Sequence, residues 1–205
     1  MSGLEIYHGD QGTPEWKALR VGVITASEFS TVMAKGKDGG ASSTRRTYLL
    51  RLAGEIITQE PAETYQNGHM LRGQEMEQEA REHYAFTQDL PVTRIGFAKR
   101  GIMGCSPDAL VGDVGGAEFK SGLPNVLIDL MLKDEFPPAH KAQVQGTLMI
   151  MDREWWDIGV YCRGMQMFKK RAVPDRAYQA NLRGEIDRFN DELQEVVRKV
   201  RAYGG

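Results

Sequence analysis

Along residues 44–58 the apolar side chains Tyr48, Leu49, Leu52, Ala53, Ile56 and Ile57 recur three and four positions apart, the spacing of a helix with one buried face. Upstream, Thr13-Pro14-Glu15-Trp16 predicts a short helix to about Arg20: a threonine cap, proline in the first turn and an acid at the positive end of the dipole. Thr25-Ala26-Ser27-Glu28 opens a second helix reaching about Ala34, and the Gly-, Ser- and Lys-rich residues 35–43 form a loop. A longer helix is expected over 67–86. At 100° per residue Gly73, Met76, Ala80, Tyr84 and Thr87 share one face of it; Glu77 is the acid nearest that face, while Glu75, Glu79 and Glu82 point further away. The pattern then shortens. Residues 90–99, 101–105, 109–111 and 117–120 are apolar runs closed by glycines and predict the strands of one sheet. Helices return at 125–132 and, after Pro137-Pro138, at 139–151, where Gln143 shares a small-residue face with Ala139, Gly146 and Ile150 while Gln145 points elsewhere. Residues 155–162 and 165–173 predict a hairpin around Arg163-Gly164, and Pro174 opens a final helix to about Tyr203.

Helices flanking a run of strands indicate an α/β chain of the α+β kind, with a central mixed β-sheet flanked by helices. A length of 205 residues at 41% apolar content suffices for one core, so residues 1–205 are expected to form a single domain: N-terminal helices over 1–60, a core over 61–173 and a C-terminal helix over 174–205. Met1-Ser2-Gly3-Leu4-Glu5 lacks the basic and apolar segments of a secretory leader, and no apolar run reaches membrane-spanning length, which predicts a soluble cytoplasmic protein with no membrane partner. Two cysteines fit a reducing compartment and are too few for a four-thiolate iron–sulfur cluster. The net charge of -2 argues against bulk electrostatic gripping of nucleic acid. Any such contact must be local, and cations do cluster at Lys35, Lys37, Arg45, Arg46 and Arg51, and again at Lys169, Lys170 and Arg171.

The chemistry concentrates in residues 104–121. Two positions apart on a strand, Glu118 and Lys120 project to one face while Phe119 points into the packed layer. A hairpin turned at 112–116 brings Asp108 back beside them. Two carboxylates converging on a lysine, with no histidine or cysteine among them, make a hard oxygen site suited to Mg2+ or Mn2+. Such a site fits phosphoryl chemistry, in which a lysine holds the attacking water or the developing charge. Each feature has an ordinary use as well. Pro-Asp is common in turns and Glu-x-Lys on strands, Glu77 can pair with Arg81 one turn on, and a cation such as Arg20 is favoured at a helix C-terminus.

Taken together, five blocks resemble the lambda-type phage exonuclease family, the YqaJ-like viral recombinase nucleases of the PD-(D/E)XK superfamily. They are Trp16-Lys17-Ala18-Leu19-Arg20 with residues 22–28, Gly73-Gln74-Glu75-Met76-Glu77, Cys105-Ser106-Pro107-Asp108, Glu118-Phe119-Lys120 and Ala142-Gln143-Val144-Gln145. The resemblance implies a restriction-endonuclease-like core and a Mg2+-dependent exonuclease, with Mn2+ as substitute and two ions per site. It implies digestion of one strand of linear double-stranded DNA from the 5′ end, leaving a 3′ overhang for annealing recombination. Asp108 and Glu118 would ligate metal with the Phe119 carbonyl, and Glu77 through water. Lys120 would orient the attacking water, and Gln143 would steady it or the phosphate. Arg20, Thr25, Ser27 and Ser106 would bind a 5′-phosphate, with Arg45 and Arg46 as further DNA contacts and Met70 or Leu71 as a strand-separating wedge. Family members can carry an aromatic residue where Arg72 stands and a tyrosine where His140 stands, which sits one turn before Gln143. Also implied are a homotrimeric ring around the DNA, a single-strand annealing partner, and a phage or prophage origin in a bacterial cytoplasm. A restriction-like endonuclease with the same metal site and an inactive DNA-end scaffold are the alternatives; the intact Asp108, Glu118 and Lys120 disfavour the scaffold, because buried charges are costly to keep.

Overall fold

The computed structural model of the chain describes residues 3–36, 39–62 and 68–203, leaving aside the side chains of residues 68–72 and 74. Helix α1 (Pro14–Leu19) starts at Thr13, whose hydroxyl accepts the Trp16 N–H at 3.2 Å. The expected second helix is split into a 3-10 turn (Ala26–Glu28) and α2 (Phe29–Met33). Helix α3 (Ser43–Thr58) is capped by the Ser42 hydroxyl, which accepts the Arg45 N–H, and buries Tyr48, Leu49, Leu52 and Ala53 as its periodicity predicts. The other helices are α4 (Gly68–Phe86), α5 (Pro124–Lys133), α6 (Lys141–Met151) and α7 (Arg176–Arg201).

The strands are β1 (Leu4–Tyr7), β2 (Ile24–Thr25), β3 (Val92–Thr93), β4 (Phe97–Arg100), β5 (Met103–Cys105), β6 (Ala109–Val111), β7 (Gly115–Ser121), β8 (Trp155–Tyr161) and β9 (Phe168–Ala172). They form two mixed sheets, ordered β1-β4-β5-β2 and β3-β6-β7-β8-β9. In the larger sheet β7 and β8 are parallel, a pairing that needs a long crossover, supplied by α5 and α6.

The expectation of one strand over 90–99 is corrected, because β3 and β4 lie in different sheets. The break falls at Arg94-Ile95-Gly96. The Gly96 N–H donates to the Tyr7 carbonyl at 2.9 Å, and a Cβ on Gly96 would stand 2.2 Å from the Gly9 carbonyl oxygen. The chain therefore turns onto β1, a strand whose partly exposed Leu-Glu-Ile-Tyr sequence gives no clear alternation.

Helix α6 packs on β4, β5 and β8 and on α2 and α7, and most of its residues are buried. Gly146 makes this possible: a Cβ there would meet the Phe29 ring at 2.2 Å. On α7, Leu182, Ile186, Phe189, Leu193 and Val197 form one buried stripe, and Phe189 stacks on Tyr48 at 5.4 Å. Replacing Phe189 by alanine would cost about 3–5 kcal/mol through transfer and cavity terms.

Helix α4 is pinned to the opposite face of the larger sheet. Ala80 and Tyr84 bury against Ala109, Val111, Ala117 and Phe119. The Tyr84 hydroxyl donates to Asp157 on β8 at 2.7 Å, and Arg171 on β9 donates to both oxygens of the same carboxylate at 2.8 and 3.0 Å while its guanidinium stacks on Trp155. Toward the other end of α4, Gly73 faces Ser121 at the end of β7, so the helix runs past the strand that carries Glu118 and Lys120. Thr87, counted on this face from the sequence, lies beyond the helix and is exposed.

Candidate active site

The β6–β7 hairpin forms with Ala109 opposite Ala117, turning through residues 112–114 on Gly112 at φ +52°. One residue before the paired segment, Asp108 accepts the Phe119 N–H at 2.7 Å. Glu118, 4% exposed, accepts Lys120 Nζ at 2.7 Å and Gln143 Nε2 at 2.5 Å, both on Oε1. Gln143 reaches it from α6, on which Gly146 leaves room for the Phe29 ring of α2. The second oxygens of Asp108 and Glu118 receive no described donor, yet neither is a sealed, unpartnered atom; among the described residues only Trp156 Nε1 is that. Both oxygens thus remain open to the site.

Electrostatics mark the same cluster. Burial, and then repulsion from Glu118, pushes the Asp108 carboxyl well above the usual range, against the opposing pull of Lys120 and the Phe119 N–H. Glu77 on α4, half-buried, is also raised, by desolvation, with Lys120 acting against it and Glu118 with it. For Lys120, burial works to lower the pKa, but Glu118 and Asp108 outweigh it and the net shift is upward, so the ammonium stays charged. Desolvation, aided by Lys120, lowers His140. Asp108, Glu77, Glu118 and Lys120 therefore sense one another, as the strand period and helix face imply.

Among the described residues no three Asp, Glu, His or Cys side chains are already gathered as a metal cage. The donor set nevertheless fits Mg2+ or Mn2+, which are held by one or two carboxylates while keeping water and phosphate oxygens as further ligands. Two open carboxylate oxygens whose own repulsion raises Asp108 are such a set.

The second predicted cluster adjoins the first through Ser106, two residues before Asp108. The Ser106 hydroxyl accepts from Arg20 Nη1 at 3.2 Å and from the Trp16 indole N–H at 3.0 Å; that N–H also reaches the Gly96 carbonyl at 2.9 Å. The Arg20 guanidinium lies 4.2 Å over the Trp16 ring, has no carboxylate ion pair among the described residues, and is lowered in pKa by burial. The Thr25 and Ser27 hydroxyls stand 3.3 Å apart, and the Tyr48 hydroxyl accepts the Thr25 N–H. A helix N-terminus at this point, expected from the sequence, is replaced by the three-residue 3-10 turn, so any anion here is met by Arg20 and hydroxyls rather than by a helix dipole.

Arg45 is a correction. It is 7% exposed, binds Glu192 on α7 through two parallel hydrogen bonds of 2.7 and 2.9 Å and donates to the Val32 carbonyl, so each of its three nitrogens is engaged in holding α3 to α7 and α2. Arg46, its neighbour, is exposed. The side chains of Met70 and Leu71 lie outside the described residues. The basic run at 169–171 is largely engaged: Lys170 pairs with Asp134 and Arg171 with Asp157. Sequence reasoning missed Glu55, whose carboxylate accepts the Gly22 N–H at 2.9 Å and so holds the connection after Arg20, and the Asp157–Arg171–Tyr84 network. Both link positions far apart in the chain, and no local pattern announces them.

A family model described as the YqaJ-like viral recombinase domain matches residues 15–154. Among solved structures, an alkaline exonuclease from Laribacter hongkongensis superposes with a TM-score of 0.82 at 29% identity, over 92% of this chain and 96% of that one. The same exonuclease in complex with dAMP gives the same values. A phage related exonuclease from Haemophilus somnus 129PT shares the fold, with a TM-score of 0.68 at 12% identity over 87% of this chain and 96% of that one. No curated protein matches the chain.

Proposed function

Because the chain belongs to the YqaJ-like viral recombinase domain family, we propose that it is a Mg2+-dependent exonuclease that digests one strand of linear duplex DNA from its 5′ end and leaves a 3′ overhang for strand annealing. The observation that carries this reading is the convergence of Asp108, Glu118, Lys120 and Gln143, with one oxygen of each carboxylate uncommitted. Asp108 and Glu118 would hold the cation, with the Phe119 carbonyl and, through water, Glu77 completing its surroundings; Mn2+ would substitute, and two ions are expected per site. When bound, the metal supplies Lewis acidity that polarises the scissile phosphate. Lys120 contributes a fixed positive charge. Beside Glu118 and Asp108 it is held as a protonated ammonium with no lone pair to take a proton, so its role would be to orient the attacking water and to offset charge developing on phosphorus. Gln143, anchored on Glu118, keeps that carboxylate in one rotamer and leaves its amide oxygen available to water or phosphate.

Arg20, with the Ser106, Thr25 and Ser27 hydroxyls, would receive the terminal 5′-phosphate. A terminal monoester carries nearly two charges, and an arginine without a carboxylate partner is suited to it. With a net charge of -2, retention on DNA would come from enclosure, in a ring of three copies. Exposed apolar side chains are available for contacts between copies at two places, Phe86, Leu90 and Val114 around β3 and β6, and Leu123 with Ile128 and Leu132 at α5, which packs near β9. An annealing protein would take up the overhang.

The test is digestion of linear duplex labelled at either 5′ or 3′ termini, beside a covalently closed circle, with and without Mg2+. Metal-dependent release of the 5′ label with the circle intact is expected. Cutting of the circle would replace this reading with an endonuclease, and inertness of both substrates would leave a DNA-end scaffold.

A further inference from the structure

The chain crosses between the two sheets twice beside the candidate site: residues 94–96 lead from β3 to β4, and residues 106–108 lead from β5 to β6. Asp108 stands in the second crossing, outside the ladder of either sheet, so strand pairing does not fix the backbone that carries it. The connection between β1 and α1 supplies a fixing of its own. Its half-buried Gln11 donates from Nε2 to the Ile95 carbonyl at 3.2 Å and to the Pro107 carbonyl at 3.1 Å. Both partners are acceptors, so the amide nitrogen is the atom that faces them, and each of its two hydrogens has a carbonyl. Trp16 repeats the staple one residue on in the first crossing and one residue back in the second, where its indole N–H reaches the Gly96 carbonyl and the Ser106 hydroxyl.

Pro107 has no N–H, and its carbonyl shares a rigid peptide plane with the Asp108 nitrogen. Holding the Pro107 oxygen therefore sets the plane from which the Asp108 side chain departs. At its far end the Asp108 carboxylate is held by the Phe119 N–H on Oδ2. With both ends fixed, Oδ1 is presented in one direction. We infer that Gln11 is a positioning residue: acting through the Pro107 carbonyl, it aims the open Asp108 oxygen at the cation. Without its two donors the Pro107–Asp108 plane can turn, and binding the cation has to order the carboxylate as well. Simple anchoring of the loop would use the same hydrogen bonds but leave metal affinity untouched.

This role rests on the metal-dependent nuclease reading, and one experiment separates the two. Mg2+ is titrated by calorimetry into metal-free wild type, Gln11→Met and Gln11→Ala, with the folded fraction of each taken from its thermal melt. Both variants remove the two donors, and Gln11→Met keeps the bulk, so it remains informative if Gln11→Ala disturbs the loop. Each is expected to bind Mg2+ about tenfold more weakly per folded molecule, as for groups that orient a metal ligand without touching the metal. Cleavage of a linear duplex should need correspondingly more Mg2+ for its half-maximal rate, with KM for the duplex at saturating Mg2+ unchanged. Wild-type affinity for Mg2+ in either folded variant overturns the assignment, even where the melting temperature falls, because the two bonds would then serve only to anchor the loop. A loss confined to KM for the duplex overturns it as well. A wild type that binds no Mg2+ would instead remove the metal site that Gln11 is argued to serve.

Discussion

Asp157 and Asp108 are carboxylates of one sheet in opposite states. On β8, Asp157 is 1% exposed and complete, with Arg171 on both oxygens and the Tyr84 hydroxyl on one of them. Asp108, just ahead of β6, has one backbone N–H and a second carboxylate for a neighbour, and its pKa is raised accordingly. The same contrast separates Arg45, whose donors are taken by Glu192 and Val32, from Arg20, which rests on an indole ring and a hydroxyl. Where the protein supplies every partner, a buried charge fastens elements together. Where it withholds them, the charge costs stability in the free protein, and on the function proposed above it is held for a ligand.

The largest effects should come from the incomplete cluster. Asp108→Ala and Lys120→Ala are each expected to lower cleavage of end-labelled linear duplex, per folded molecule, by at least about 10²–10³; near-normal turnover in either would break the comparison at its first member. The complete cluster should behave inversely. Arg171→Ala leaves Asp157 as an uncompensated buried charge and is expected to cost about 3 kcal/mol, read from the denaturation midpoint, with turnover per folded molecule near wild type. A stable Arg171→Ala protein that cannot cut DNA would erase the distinction.

Next in size is Arg20→Ala. Wild type should prefer a 5′-phosphorylated duplex to its 5′-hydroxyl counterpart, and the variant should shrink that preference by about tenfold, as expected for one charge-assisted contact. Paired digests of the two substrates measure it. The smallest effect is on stability against pH. With the folded Asp108 pKa raised, the folded state keeps a proton that the unfolded chain gives up. Stability of the metal-free protein should be full below the ordinary carboxylate value of about 3.9 and fall as pH rises toward the raised one. Asp108→Asn should flatten that slope. An unchanged slope in the variant would show that Asp108 is not the charged cost.

Local rules made much of this legible. The strand period placed Glu118 and Lys120 together, the glycine-marked turn returned Asp108 beside them, and the helix face of Gly73, Met76, Ala80 and Tyr84 left Glu77 nearest the site. The helix face read for α6 set Gln143 apart from Gln145, and it is Gln143 that meets Glu118. What escaped was set by contacts distant in sequence. Arg45 lies in a basic run that looks solvent-facing, and only the docking of α7 reveals Glu192 as its partner. Residues 90–99 look like one strand, and only the backbone of Gly9 against Gly96 explains why two sheets share them. Asp157 carries no periodic signal that Tyr84 and Arg171 will meet on it.

Titration of the metal-free protein with Mg2+ by calorimetry, for wild type and Asp108→Asn, tests most directly whether the incomplete cluster is held for a cation. The account predicts saturable binding by wild type, absent or at least about tenfold weaker in the variant. Equal binding by both proteins, or none by wild type, would contradict it.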